Sequence, residues 1–333
     1  MIASKLSMHV CPACRSPQLR LVPSAVDADG SVREGRIDCV GCGAGYTVAA
    51  GLPRFVPTSN YADSFGFQWN RHARTQLDSH SGLTISRDRV LGALGPDVSL
   101  RGRRVLEAGS GAGRFTEVLI RAGAELVSFD FSSAVDANAA NQKALPNLHL
   151  FQGDIFNIPL AEGTFDTVLC LGVIQHTPDP AAAFRSLAQH VRPGGQLVID
   201  SYTRNVAALL HWKYVLRPIT KRLRKETLYR IVERITPPLV PIARWLRRLG
   251  GRWGARLVPI VEYSHLGLPP ALNVQWAILD TFDMYSPAHD HPASPVTIGE
   301  WFAQAGFENI RVRPGPNGLV GSGLRPAATP APP

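Results

Sequence analysis

The stretch "VLEAGSGAGRF", residues 105–115, decides the fold class and the kind of ligand. Three glycines, Gly109, Gly111 and Gly113, follow a run typical of a buried strand. Such a loop between strand and helix lets backbone N–H groups approach a nucleotide. Its spacing is G-x-G-x-G instead of the G-x-G-x-x-G of dinucleotide sites, and the chain has no phosphate-binding G-x-x-x-x-G-K-[ST] pattern. Because Glu107 would repel a pyrophosphate and attract a cation, the loop favours a positively charged nucleoside cofactor.

Acidic residues end the next two predicted strands. Asp130 closes "AELVSFD", 23 residues after Glu107, where a carboxylate can accept from ribose hydroxyls. Asp154 closes "LHLFQGD", where a carboxylate can accept from an adenine amino group. One acid after a strand is often only a turn former. Three acids at neighbouring strand ends, beside a glycine loop, favour S-adenosylmethionine, whose ammonium and sulfonium groups are positive.

Strand and helix patterns alternate from residue 104 to about 203. The run "FDTVLCLGV" is almost continuously apolar, as expected for a strand whose two faces are both covered by helices. The alternation stops at residues 204–293 and returns with "VTIGEWFAQAGF" and "ENIRVRP". We therefore predict a doubly wound α/β sheet with an insertion that covers the carboxyl ends of the strands.

The motifs together resemble those of class I S-adenosylmethionine-dependent methyltransferases. The matching stretches are "EAGSGAG", "FD" at 129–130, "QGDI", "FDTVLCLGVIQHTPDP" and "VRPGG". The chain is most similar to the group that contains the quinone-biosynthesis C-methyltransferases, over residues 101–203 and 294–323. The resemblance implies a mostly parallel, seven-stranded Rossmann-like sheet with an antiparallel last strand. The expected cofactor-binding residues are Glu107, Gly109, Gly111, Gly113, Asp130, Phe131, Asp154, Ile155 and Gly172.

Candidate catalytic residues follow the fourth strand of the alternation. Gln175 and His176 stand where the methyl group of the cofactor is expected. Imidazole titrates near neutrality, so His176 is our first candidate for a base or a substrate-orienting group. The alternative is that His176 caps the next helix or makes a local hydrogen bond.

A second set of candidates lies elsewhere along the chain. Gln68 and Trp69 either close over the cofactor or pack between domains. The stretch Trp276 to Pro292 is rich in acids and histidines: Asp280, Asp283, His289, Asp290 and His291. These residues bind a metal or polar substrate groups, or they cap helices and form turns, which we favour for Asp280 and Asp290.

Four of the five cysteines form two pairs, Cys11 with Cys14 and Cys39 with Cys42. Two C-x-x-C knuckles supply the four thiolates that structural Zn²⁺ prefers. Two disulfides are the less favoured alternative, because the first residues show no export signal. The segment also resembles the zinc ribbons that are fused to methyltransferases or partner them.

The positive charge of the chain is concentrated in one segment. Between Arg204 and Arg256 there are 14 basic residues against two acids, a local charge of +12 compared with +9 for the whole chain. The apolar residues Ile219, Leu223, Ile231 and Ile235 recur on one helical stripe, with cations on the other side. Three interpretations stay open: a lid helix packed on the sheet domain, an interfacial helix at an anionic membrane surface, and, least favoured, a nucleic-acid contact.

These observations predict a division of the chain into successive segments. They are a zinc ribbon at 1–57, a linker with cofactor-covering helices at 58–100, a methyltransferase core at 101–203 and 294–325, a basic helical lid at 204–293, and a flexible tail at 326–333.

The predicted function is methyl transfer from S-adenosylmethionine to an oxygen or carbon atom of a small molecule or glycan, free or lipid-linked. The alternatives are an RNA methyltransferase and a non-catalytic zinc-ribbon module. With no apolar run of membrane-spanning length, we expect a cytoplasmic protein that is free or peripheral at the inner membrane face.

Overall fold

A computed structural model describes residues 3–57, 60–95, 98–143, 145–204 and 212–328. Its strands form one sheet in the order β1-β2-β3-β4-β7-β6-β5-β8-β9-β11-β10. In chain order they are β1 (Leu19–Val26), β2 (Val32–Cys39), β3 (Gly45–Ala49), β4 (Leu52–Arg54), β5 (Arg104–Ala108), β6 (Glu125–Asp130), β7 (Leu148–Gln152), β8 (Phe165–Cys170), β9 (Val191–Ser201), β10 (Glu308–Gly315) and β11 (Gly318–Leu324).

The centre of the sheet is parallel, as predicted. Strands β4, β7, β6, β5, β8 and β9 pair in parallel, whereas β11 is antiparallel to both β9 and β10. The seven strands from β7 to β10 therefore form the expected sheet with an antiparallel strand β11. Because parallel strands end at the same edge, Ala108, Asp130, Gln152 and Cys170 lie along one side of the molecule.

Helices cover both faces of this sheet. The helices, in chain order, are α1 (Asp63–Arg71), α2 (Asp78–Ser81), α3 (Ile85–Leu94), α4 (Arg114–Arg121), α5 (Ala134–Gln142), α6 (Pro180–His190), α7 (Trp212–Thr220), α8 (Lys225–Ala255), α9 (Pro270–Tyr285) and α10 (Pro295–Gln304), of which α7, α8 and α9 belong to the insertion. Val105 of β5 packs in a core with α3, α4 and α5, whereas the adjacent Leu106 packs in a second core with α6 and α10. The period-two alternation of strand side chains thus produces one core on each face.

The amino-terminal hairpins continue the same sheet. Arg54 of β4 pairs in parallel with Gln152 of β7, so the strands of the predicted ribbon extend one edge of the core sheet. The Arg54 side chain also donates to Gln152 Oε1 at 3.0 Å and to Asp136 Oδ1 at 2.6 Å. The pattern of the sequence predicts these strands but does not indicate this pairing.

The insertion is helical, as predicted, but its apolar stripe faces solvent. Ile219, Leu223, Ile231 and Ile235 are all exposed. In their place, Leu228, Tyr229 and Val232 of α8 pack against Ile278, Phe282 and Tyr285 of α9. The predicted stripe is therefore not the packing face: Ile219 lies in α7, Leu223 lies between α7 and α8, and another side of α8 meets α9. No helix within the described ranges is both long and apolar enough to cross a bilayer. Of the predicted tail, residues 329–333 lie outside the described residues.

Candidate functional site

A cavity of about 1050 Å³ opens at the carboxyl ends of β5, β6 and β8, beneath the helices of the insertion. Of the predicted cofactor and catalytic residues, it is lined by Gly109, Gly111, Asp130, Phe131, Ile155, Gly172 and His176. The other predicted residues, Glu107, Gly113, Asp154 and Gln175, are not part of its wall. Its volume is at the upper end for small-molecule sites, which suits two ligands side by side.

The backbone of the glycine loop has a conformation that is energetically unfavourable for residues other than glycine. Gly109 and Gly113 have φ angles of +78° and +91°. A Cβ at Gly109 would lie 2.2 Å from Val173 Cγ2, and one at Gly113 would lie 2.2 Å from Asn138 Oδ1. Left-handed backbone and close neighbours together explain why glycine occupies both positions.

Asp130 lies at the end of β6 and holds the glycine loop. Its Oδ2 accepts from the Gly111 N–H at 2.8 Å, and its Oδ1 accepts from the Ser132 N–H and hydroxyl at 2.8 and 2.6 Å. Burial raises the pKa of this carboxyl above its ordinary value. Each carboxylate oxygen has two lone-pair directions, so the group retains capacity for a ligand in the cavity.

Glu107 is buried behind the loop, between β5 and α4. Its Oε2 accepts from Thr116 Oγ1 at 2.5 Å and Ser128 Oγ at 2.7 Å, whereas Oε1 has no hydrogen-bond partner among the described residues. Burial raises the pKa of Glu107 to about 7. The protein thus keeps an incompletely compensated acid directly beneath the glycine loop.

The remaining predicted cofactor residues surround the same end of the sheet. Phe131 and Ile155 contribute apolar wall beside Asp130. Asp154 is bound to its own loop through the Phe156 N–H at 2.9 Å, and burial raises its pKa. Gly172 donates its N–H to Asp200 Oδ1 at 2.5 Å.

The donor set of this wall suits S-adenosylmethionine. Among the described residues, no ion pair involves Glu107, Asp130 or Asp154. Carboxylates without cations, one of them with an unpartnered buried oxygen, suit a ligand that brings positive charge and hydroxyl donors. A pyrophosphate would carry negative charge, as these carboxylates do, and would be repelled.

His176 belongs to the single helical turn Ile174–His176 after β8, and it lines the cavity. Its Nδ1 lies 3.1 Å from the His289 carbonyl oxygen, which can only accept, so Nδ1 carries the proton. Burial lowers the pKa of the imidazole, so the ring is neutral at pH 7 and Nε2 has a free lone pair. Asp179 caps α6 through the Ala182 N–H, so His176 does not have that capping role.

Gln175 is buried completely, and neither of its side-chain polar atoms has a hydrogen-bond partner among the described residues. Its backbone carbonyl accepts from the His291 N–H at 2.8 Å. Through this bond, Gln175 fixes the loop that also supplies the partner of His176 Nδ1.

The opposite wall of the cavity comes from the insertion. Asp280 lies inside α9 and accepts from Tyr263 Oη and from Gln76 Nε2, so it neither caps a helix nor forms a turn, contrary to our expectation. Burial, with the nearby Asp283 charge, raises the pKa of Asp280 to about 6. Asp283 accepts from Gln68 Nε2 at 2.9 Å. This wall therefore offers acidic groups to an acceptor.

Two further carboxylates are ion-paired: Asp200, which was absent from the sequence prediction, and Asp290, for which we expected a cap or a turn. Asp200, at the end of β9, pairs with Arg89 at 2.6 Å. Asp290 pairs with Lys213 and Arg217, each at 2.9 Å. A carboxylate closing an apolar strand was a usable signal for Asp200. Its arginine partner is 111 residues away in the chain, and no local pattern indicates it.

The four cysteines of the two knuckles come together. Their Sγ atoms all lie within 4.8 Å of one another, with Cys11 to Cys42 at 3.7 Å and Cys14 to Cys39 at 3.6 Å. A tetrahedral zinc with Zn–S bonds of about 2.3 Å needs sulfurs about 3.8 Å apart. Both distances are too long for disulfides. The sulfurs are therefore close enough to hold one metal ion such as zinc. Within the described ranges no other group of three or more potential ligands is this compact, including the acids and histidines of residues 276–292.

The first knuckle docks beside the predicted adenine loop. Arg15 donates to the carbonyl oxygens of Ile158 and Leu160 at 2.7 and 2.8 Å, and His9 Nδ1 donates to the Pro159 carbonyl at 2.9 Å. Ile158, Pro159 and Leu160 lie three to five residues after Ile155 in the same loop. A metal that ordered the knuckle would therefore also order the loop at the cavity.

Comparison with known proteins agrees with this geometry. Residues 106–199 match the family model described as a methyltransferase domain. A ubiquinone biosynthesis O-methyltransferase from Aromatoleum aromaticum is 34% identical over 166 residues, which cover 46% of this chain and 66% of that protein. The protein of the same name from Xanthomonas euvesicatoria is 29% identical over 163 residues, covering 46% and 64%. The chain spans about half to two thirds of the length of the curated relatives that it matches.

Solved structures align over most of the chain at low identity. Magnesium protoporphyrin IX methyltransferase from Synechocystis PCC 6803 aligns with a TM-score of 0.44 and 16% identity, covering 80% of this chain and 96% of that one.

Proposed function

We propose that this chain, whose residues 106–199 form a class I S-adenosylmethionine-dependent methyltransferase domain, methylates an oxygen or carbon atom of a small organic acceptor. One observation carries the proposal. A single cavity has Asp130 and the glycine loop on one wall, with the unpaired acid Glu107 buried behind that loop, and it has a neutral histidine and the insertion on the other side. This arrangement suits a cationic cofactor and an acceptor that must meet.

On the cofactor side, Asp130 would accept from the ribose hydroxyls and the glycine loop would contact the nucleoside. Phe131 and Ile155 would provide an apolar wall for the adenine, and Asp154, the residue before Ile155, would accept from its amino group. Glu107 contributes its charge through the loop. The cofactor supplies a methyl group on a sulfonium, which makes that group electrophilic. The protein has to align the acceptor atom, exclude water and remove a proton.

His176 removes that proton. The hydrogen bond from Nδ1 to the His289 carbonyl fixes the tautomer, so Nε2 is the basic atom in the cavity. A hydroxyl acceptor requires such a base because an alcohol or phenol is a poor nucleophile while protonated. The curated relatives are named O-methyltransferases, and we therefore favour oxygen as the acceptor atom. Gln175 supports the reaction by fixing the loop at His291.

The structural metal of the amino-terminal knuckles is zinc in this proposal. Its four ligands are Cys11, Cys14, Cys39 and Cys42, and it stabilises the loop at Asp154 through Arg15. This metal has no part in the chemical step.

A lipid-linked acceptor is the finer form of the proposal. Arg252, Trp253 and Arg256, at the end of α8 and just beyond it, line the cavity together with Asp130 and His176. The rim therefore offers an aromatic ring and two cations to an amphipathic molecule that enters the cavity.

The test uses the purified protein, radiolabelled S-adenosylmethionine and a fractionated cell extract. We expect label in the small-molecule or lipid fraction. His176→Ala should abolish that label while binding of S-adenosylhomocysteine, measured by calorimetry, stays unchanged. The exposed His80→Ala serves as the matched control and should keep full activity.

Three outcomes would refute parts of this assignment. Label in RNA would show that the acceptor is a nucleic acid instead of a small molecule. Cofactor binding with no label in any fraction would favour a non-catalytic module. An unaltered rate in His176→Ala would remove this residue from the mechanism.

A further inference from the structure

Helix α8 carries a long apolar stripe on its solvent side. The stripe consists of Ile231, Ile235, Ile242, Trp245 and Leu249, and their exposed fractions range from 37% to 68%. With Pro238, these residues follow one another at spacings of four and three, so they form one face over about five turns. Beyond the kink at Gly250 and Gly251, Trp253 and Leu257 are also exposed. Monomeric soluble proteins rarely leave such a continuous apolar surface uncovered.

The stripe is distinct from the face that holds α8 in the protein. The packing face comprises Leu228, Tyr229, Val232, Val240 and Ala243, all buried against α9 or neighbouring residues. A helix needs only one apolar face to pack on its domain. A second apolar face has no function inside the protein, so it indicates contact with something outside.

Exposed arginines accompany the stripe. Arg230, Arg234, Arg244 and Arg248 lie on the solvent side of the same helix and are all exposed. Within α8 the acids are only Glu226 and Glu233. The surface therefore combines an apolar strip, two exposed tryptophans and a row of positive charge. These features together are typical of helices that lie in the interface of an anionic bilayer.

Two other partners fit this surface less well. A second copy, paired through the same stripe, would bring the arginine rows of two positively charged segments together, and like charges repel. A nucleic acid would pair with the arginines but would leave the isoleucines and Leu249 without an apolar counterpart. An anionic lipid surface matches both the arginines and the apolar stripe, because its headgroups pair with the arginines while its acyl chains cover the stripe.

We propose that the exposed face of α8 docks this protein on an anionic lipid bilayer, with Ile231, Ile235, Ile242, Trp245 and Leu249 inserted at the level of the headgroups. The helix lies parallel to the surface and does not cross it. Because Arg252, Trp253 and Arg256 line the cavity, docking through α8 brings the rim of the cavity to the membrane. A lipid-borne acceptor then reaches the site without crossing water.

The test is flotation of the whole protein, without cofactor, on vesicles of phosphatidylcholine with 30% phosphatidylglycerol. We expect binding to these vesicles and little binding to pure phosphatidylcholine. Ile242→Glu combined with Leu249→Glu should lower the partition at least about fiftyfold, since each change removes apolar burial and adds repulsion from the surface. Arg→Gln at positions 230, 234, 244 and 248 should lower it by nearly three orders of magnitude, at about fivefold for each of the four charges.

A matched control uses exposed valines outside the helix. Val26 and Val296 are 54% and 68% exposed, so Val26→Glu with Val296→Glu makes the same chemical change elsewhere. This variant should bind vesicles within twofold of the wild type. All of these side chains are exposed, and far-ultraviolet circular dichroism verifies that each variant is folded.

Trp245 gives a second readout that does not depend on partition. Its fluorescence should shift to the blue and be quenched by brominated lipid acyl chains, and a Trp245→Phe variant should lose that part of the signal. Binding is measured without methyl transfer, so failure of the proposed activity leaves this result intact.

Several outcomes would overturn the proposal. Equal binding of the wild type and the double glutamate variant would refute it, as would equal binding to neutral and anionic vesicles. A wild-type dimer that the glutamate variant converts to a monomer, without vesicle binding, would assign the stripe to a second copy. Salt-sensitive RNA binding without vesicle binding would assign the arginines to nucleic acid.

Discussion

Replacement of Glu107 by glutamine should change how stability depends on pH. Burial raises the pKa of Glu107 from 4.5 to about 7, so the folded protein binds this proton more tightly than the unfolded chain does. Stability from this group is therefore fully present below about pH 4.5 and is lost as the pH rises to 7. A shift of this size corresponds to about 3 kcal/mol, at about 1.4 kcal/mol for each pKa unit. Glutamine resembles the protonated acid, and it keeps an acceptor for Thr116 and Ser128.

The assay is urea unfolding of Glu107→Gln and wild type without cofactor, at several pH values between 4.5 and 8. The free energy of unfolding of the variant minus that of the wild type should rise by about 3 kcal/mol over this range. Other titrating groups are common to both proteins and cancel in the difference. The exposed Glu300→Gln serves as control and should give a flat difference. If the difference in unfolding free energy for Glu107→Gln did not change with pH, the raised pKa of Glu107 would be refuted. If the variant bound the cofactor as tightly as the wild type at pH 8, the electrostatic role of Glu107 would be refuted.

Three further predictions follow from the site. His176→Gln should lower kcat by about 10²–10⁴-fold. Because burial lowers the pKa of His176, the wild-type rate should fall on the acidic side only below pH 6.5. A fall in rate that begins above pH 6.5 would contradict the assignment of His176 as the base. Gly113→Ala places a methyl group 2.2 Å from Asn138 Oδ1 at a φ of +91°, so unfolding should become easier by about 2 kcal/mol or more. Gly92→Ala, inside α3 with open space around it, should instead stabilise by up to about 1 kcal/mol in the same thermal denaturation. Cys14→Ser should reduce bound zinc from one equivalent, measured by atomic absorption, and should weaken cofactor binding through the loop held by Arg15; full zinc content in the variant would contradict the four-cysteine site.

Several features of this protein could be predicted from short stretches of sequence. The glycine spacing, the acids that close β5, β6 and β7, and the two C-x-x-C knuckles are local patterns, and their chemistry depends on residues a few positions apart. The alternation of strands and helices along the core was predicted from residue patterns, and the resemblance to a family implied seven strands with an antiparallel last strand. The sheet has these features, while the spatial order of its strands came only from the structure.

Contacts between distant residues were decided only by the tertiary structure. The pairing of β4 with β7, which makes the amino-terminal hairpins part of the main sheet, joins Arg54 to Gln152 across 98 positions. Asp290 in the loop after α9 pairs with Lys213 and Arg217 of α7, and this pairing positions the carbonyl that fixes His176. Such pairs leave no periodic pattern in the sequence, because each depends on how separate helices and strands approach one another in space.

Helix α8 illustrates the same limit. Its sequence contains the residues of two apolar faces, and the helical period identifies which residues share a face. The period cannot tell which face another helix will cover. That choice depends on the shape of α9, where Ile278, Phe282 and Tyr285 receive Leu228, Tyr229 and Val232 and leave the isoleucine stripe in solvent. The amino-acid sequence by itself thus determined the local chemistry of the site, while the packing of distant helices decided which surface the protein presents to its surroundings.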